Sequence, residues 1–120
     1  MAKDDYNTLV FKILLYYYGC LKRKYVFDIN AFYHAISKDD IDESYLTDIM
    51  VMLGDCGYLN GVKFSTAWGQ EKILLRGFDE FSITPKGIEY LQDNNAMKKI
   101  CKVFTETTTP ITSLIKLVLG

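Results

Sequence analysis

Apolar residues recur at helical spacing near the start of the chain. Tyr6, Leu9, Ile13, Tyr16, Tyr17 and Cys20 define one face of a helix predicted over residues 5–21. Gly19 and the basic Leu21-Lys22-Arg23-Lys24 segment suit the negative end of its dipole. A second stripe, Phe11, Leu15 and Tyr18, points the opposite way at i, i+4 and i+7. A helix apolar on both sides is normally covered on both, so another element must pack on this stripe.

Tyr25-Val26-Phe27 reads as a short strand. Asp28 then opens a helix through Ser37 as its N-cap, with Ile29, Phe32, Tyr33 and Ile36 facing inward. Asp40 and Glu43 have the spacing of an acidic capping box and start a third helix near residue 42. Its inner stripe is Leu46, Ile49, Met50 and Leu53, and Gly57 stops it. The period then changes: Leu59, Val62 and Phe64, then Ile73-Leu74-Leu75 and Phe81-Ser82-Ile83, predict short strands of a hairpin with a long tip. Thr84 and Pro85 cap and begin a further helix with Ile88 and Leu91 inward, closed by Asn94 and Asn95. Beyond it Met97, Ile100, Cys101 and Phe104 form a helical stripe backed by Lys98, Lys99 and Lys102. The segment from Thr105 to Pro110 breaks that helix before the apolar run "ITSLIKLVL".

This order predicts an α+β fold, a winged helix-turn-helix-like domain with a two- to three-stranded β-hairpin wing and extra C-terminal helices. Residues 1–95 would form the core and 96–120 a helical tail of the same domain. The segments "GYLNGVKF" and "FSITPKGIEYLQDN" are more specific. Gly57, Tyr58, Leu59 and Gly61, then Ile83, Thr84, Lys86, Gly87, Tyr90 and Leu91, give a chain that resembles the YjcQ family over about residues 4–104. These are small proteins of bacterial genomes and prophages. The resemblance implies a winged-helix-like fold and a bacterial or prophage context; it brings no activity with it.

Composition changes the picture at one place. The chain of 120 residues has 49% apolar residues, a net charge of −1 and a pI near 5.8, where domains that hold nucleic acid are usually basic. Residues 39–61, which include the third helix, contain six carboxylates and no lysine or arginine. The outer face of that helix, Ser44, Thr47, Asp48, Val51 and Asp55, offers none of the donors that read base edges. The alternative of a DNA-binding regulator therefore rests on Lys22, Arg23, Lys24, Lys63, Lys72 and Arg76.

No enzyme, cofactor or metal chemistry is predicted. An EF-hand loop begun at Asp40 would put Tyr45 where glycine is needed and Val51 where the bidentate glutamate belongs. His34 stands without a partner motif, and no glycine-rich phosphate loop occurs. Cys20, Cys56 and Cys101 form neither a disulfide framework nor a zinc site, which fits a reducing cytoplasm. The unbroken apolar run from Ile13 to Leu21 is too short to span a bilayer, so no membrane role is expected. Apolar surface in need of cover remains. The expected function is non-enzymatic, through contacts with a phage or host protein and in a homodimer. The expected interface comprises Phe11, Leu15, Tyr18, Ile100, Phe104, Leu114, Ile115 and Val118, with the tail packed partly on the first helix of its own chain.

Overall fold

Helix α1 (Asp5–Leu21) is the hub of the fold. Both of its stripes are apolar, and the structure buries Leu9, Phe11, Ile13, Leu15, Tyr16 and Tyr17 along with Val10 and Leu14 between them. A computed structural model of the chain describes residues 5–120; residues 1–4, the start of the expected core, lie outside it. Among the described residues there are six α-helices and two two-stranded antiparallel ladders, an α+β architecture. None of these helices is long and apolar enough to cross a membrane.

Helix α2 (Ile29–Ile36) begins where the Asp28 side chain accepts the Ala31 N–H at 2.9 Å, and ends at Ser37 in the left-handed region. Phe32 and Ile36 face the core, but Ile29, expected inward, is exposed. Residues 25–27 form no strand. They cross between helices with Val26 88% exposed, while Tyr25 and Phe27 stack on Tyr16 and Tyr17 respectively. That aromatic cluster, continued by Phe32 and Phe78, replaces the strand pairing that the sequence suggested. Helix α3 (Glu43–Asp55) is capped by Asp42, which accepts from the Ser44 and Tyr45 N–H groups. Asp40 is taken up in a 3-10 turn over Lys38–Asp40 and caps nothing. Gly57 ends α3 with φ of 82°, a conformation that only glycine adopts without cost.

The strands make one interrupted hairpin. β1 (Leu59–Asn60) pairs with β4 (Ser82–Ile83) at its base, and β2 (Phe64–Thr66) pairs with β3 (Lys72–Leu74) further out. Thr84 then caps α4 (Pro85–Asp93) by accepting the Gly87 N–H at 3.0 Å. A side chain at Gly87 would meet the Tyr58 carbonyl oxygen at 2.3 Å, so the close approach of helix to hairpin needs glycine there. Asn94 caps α5 (Asn95–Thr105), and α6 (Pro110–Val118) follows. Helices α2, α4, α5 and α6 all pack on α1.

Candidate functional site

The acidic third helix is not a free surface. Strand β3 lies against α3, and Ser44 donates its hydroxyl to Glu71 at 3.1 Å. Val51, expected on the outer face, is 2% exposed and lies outside the main core; it is buried on the side that the outer ladder covers. Gly54 sits so near Val62 that an added Cβ would come within 2.8 Å of it. Asp48 and Asp55 stay in water. The outer face of α3 is therefore a carboxylate rim around a hairpin contact.

The basic residues belong to two elements, the end of α1 and the hairpin. Lys22 donates to the Val118 carbonyl at the end of α6 and lies 5.1 Å from the Tyr18 ring. Arg23 and Lys24 are exposed beside it. Lys63, Lys72 and Arg76 belong to the hairpin, where Lys72 sits 5.9 Å from the Phe64 ring. The hairpin carries exposed apolar side chains as well: Ile73, Leu75 and, at its tip, Trp68, which is 98% exposed.

Most of the expected interface points inward. Phe11, Leu15, Ile115 and Val118 are buried within their own chain, and Tyr18, Ile100, Phe104 and Leu114 are half-buried against the same core. Ile115 and Val118, expected to meet a partner, are covered by their own chain. The joint between α5 and α6 is short, and the Thr112 hydroxyl pins it by donating its one proton to the Phe104 carbonyl at 2.6 Å, with the Thr107 carbonyl 3.0 Å away. So tethered, α6 packs on α1 without the entropy cost of association. Phe104 stacks on Phe11 at 6.4 Å between ring centres.

A groove stays open between α2 and α6, floored by α1. It consists of two adjoining clefts that share His34, Ala35, Pro110 and Ile111. The first, about 450 Å³, is apolar and lined by Tyr25, Val26, Ala31, Leu114 and Leu117, over Tyr16. The second, about 760 Å³, is of mixed polarity and holds Ser37, Lys38, Asp39 and Asp40 beside Tyr33 and Phe104, with Lys12 entering from α1. Lys12 and Tyr16 are one helical turn apart, hence on one face. Lys12 is half-buried over the Phe104 ring, with Ser37 Oγ at 3.5 Å. Burial holds its ammonium below the ordinary lysine range, and Asp40, acting at longer range, offsets part of that shift. Among the described residues Lys12 has no ion-pair partner. His34 is exposed on the rim shared by both clefts.

Sequence reasoning overlooked this groove. Lys12 registers in the sequence only as a break in an apolar run, although a lysine between two apolar stripes of one helix already marks a charge held close to a core. Among the described residues no three His, Cys, Asp or Glu side chains are grouped to hold a metal ion. Cys56 is exposed, and Cys20 and Cys101 are partly buried. Residues 11–108, most of the chain, match the family model described as YjcQ protein, and the chain belongs to the YjcQ family. No curated protein and no solved structure matches it.

Proposed function

We propose that this member of the YjcQ family is a non-enzymatic, winged-helix-like cytoplasmic protein of bacterial or prophage origin that works by protein contact. The observation that carries this reading is the groove between α2 and α6. It is an apolar slot continued by one of mixed polarity, open on the outside, and floored by a half-buried lysine without an ion pair among the described residues. Slots of this kind between helices are common recognition surfaces for other chains. A homodimer has Leu114, Leu117 and the outer side of the hairpin at its disposal, whereas Ile115 and Val118 are spent inside the chain.

The alternative, a DNA-binding regulator, has one observation in its favour: the hairpin joins Lys63, Lys72 and Arg76 to an exposed aromatic tip. Against it, the third helix presents carboxylates around a covered face, where phosphate contacts need cations. Titration of a labelled random-sequence duplex at physiological salt separates the two. We expect no binding tighter than about 10 μM, weaker than the usual non-specific level of basic domains. Sub-micromolar binding that weakens steeply with salt would overturn the protein-contact reading in favour of the regulator.

A further inference from the structure

The surface between α2 and α6 has the shape left by a missing helix. Residues of α2 line one wall and residues of α6 the other, with His34, Ala35, Pro110 and Ile111 common to both clefts. Ala31 lies with Leu114 and Leu117 at one end, and Ser37 and Asp40 lie with Thr109 and Pro110 at the other. Two antiparallel helices thus flank a strip of a third, the kind of channel into which another helix packs its ridge.

We infer that this groove receives an amphipathic helix of a partner protein, with apolar anchors on Val26, Leu114 and Leu117 and one carboxylate on Lys12. The inference rests on the protein-contact reading and adds the occupant. The apolar end takes the anchors because Val26 is 88% and Leu117 48% exposed around a cleft with few polar atoms. The polar end asks for a carboxylate. Lys12 is held between the Phe104 ring and Ser37, half out of water and without an ion pair among the described residues. Charges so placed are normally matched, and a carboxylate arriving from a partner would match this one with a charge-assisted hydrogen bond. Asp39 and Asp40, exposed at the same end, favour a basic side chain on the partner beyond that carboxylate. The order along the bound helix is therefore apolar, acidic, basic.

The open outer side of the groove favours a helix over a small ligand. A compact molecule would leave much of its apolar surface in water, whereas an amphipathic helix exposes only its polar face. A second copy of this chain is the weaker occupant. Helices α2, α4, α5 and α6 already spend their apolar faces on α1, and α3 is packed under β3. Among the described residues the large apolar side chains that helices expose are Leu21, Ile29, Tyr45, Met52, Val103 and Leu117, no more than two on any one helix and short of the stripe such a groove takes.

The test is a displayed library of helix-favouring random peptides of about 16 residues, roughly four turns, selected on the full chain. Enriched sequences should carry apolar residues at i, i+3, i+4 and i+7 with one Asp or Glu at a fixed offset. Fluorescence anisotropy of such a peptide should show binding weakened about tenfold by Lys12→Gln, the scale of one charge-assisted hydrogen bond. Changing the peptide carboxylate to its amide should weaken binding equally, and the two changes together should cost no more than either alone. Leu117→Asp should abolish binding while the thermal melt stays at the wild-type temperature. Selection of no peptide, or of peptides indifferent to Lys12 and Leu117, would sink the proposal. Peptides lost instead on Ile73→Asp and Leu75→Asp would move the contact to the hairpin, leaving the protein-contact reading intact. Binding of decanoate alone with the same Lys12 dependence would replace the helix by a small carboxylate. A dimer in sedimentation that Leu117→Asp dissociates would replace it by a second copy.

Discussion

Helices α3 and α6 invite opposite expectations, and the structure qualifies both: Asp48 and Asp55 of α3 stay exposed around a covered Val51, and α6 packs on its own chain. Helix α3 has a polar, acidic outer side that sequence places in solvent, yet its centre is covered by the hairpin, with Val51 buried there. Helix α6 follows a threonine-rich joint with six apolar residues in nine and invites a partner. Instead it folds back on α1 and buries Ile111, Ile115 and Val118. Whether a helix face is available depends on what the chain can bring across it, and a tethered segment competes at high effective concentration. The open face of α6 is thus its flank, where Leu114 and Leu117 border the groove.

The strongest challenge to this comparison is removal of residues 109–120. If α6 is part of the core, the truncated chain loses the cover that Ile111, Ile115 and Val118 give α1 and should lose its cooperative melting transition in scanning calorimetry. A cooperative melt within a few degrees of the full chain would return α6 to the role of a detachable tail. The next largest effect separates two outer positions. Val51→Asp places a carboxylate under the hairpin and should destabilise the fold by about 3 kcal/mol. Leu117→Asp, at the groove edge, should change stability by less than about 0.5 kcal/mol. Urea unfolding measures both, and equal costs would refute the proposed cover over α3.

A smaller contrast concerns pH. Burial raises the Cys20 thiol to about 11 and raises Cys101 as well, and it also raises the hydroxyls of Tyr17 and Tyr25. Each of these groups is favoured in its neutral form by folding. The stability they contribute is complete below their unfolded pKa values and is lost as pH rises through the folded ones. Stability should therefore begin to decline above about pH 9. Iodoacetamide at pH 8 should label the exposed Cys56 at the end of α3 well before Cys20 at the end of α1. Labelling of Cys20 first would contradict the packing around Tyr25. The smallest effect is on nucleic acid: Asp48→Lys with Asp55→Lys should strengthen non-specific duplex binding only several-fold, read by anisotropy. A gain of about a hundredfold would mean that α3 is open to a duplex after all.

Much of the architecture was legible in the sequence because it depends on neighbours along the chain. The spacing of Leu46, Ile49, Met50 and Leu53 marks the inner side of α3, and the structure buries all four. Thr84 and Pro85 announce the start of α4, and Asn94 its end. The double stripe on α1 states that cover must come from both sides, and the fold supplies it. Caps, stripes and turns are properties of a few consecutive residues, which is why they can be read locally.

The failures share a cause. Residues 25–27 have the composition of a strand, but Tyr25 and Phe27 gain more from stacking on Tyr16 and Tyr17 than from a strand with no partner in reach. Asp42 rather than Asp40 caps α3 because the 3-10 turn consumes Asp40 first. The apolar stripes of the sequence specify how much surface must be buried, but not by which element. Only the tertiary structure decided that α6 covers α1, that the hairpin covers α3, and that Lys12 has no ion pair among the described residues in a groove between α2 and α6. Burial is a sum over segments distant in sequence, and several arrangements satisfy the same local pattern until chain length and packing select one.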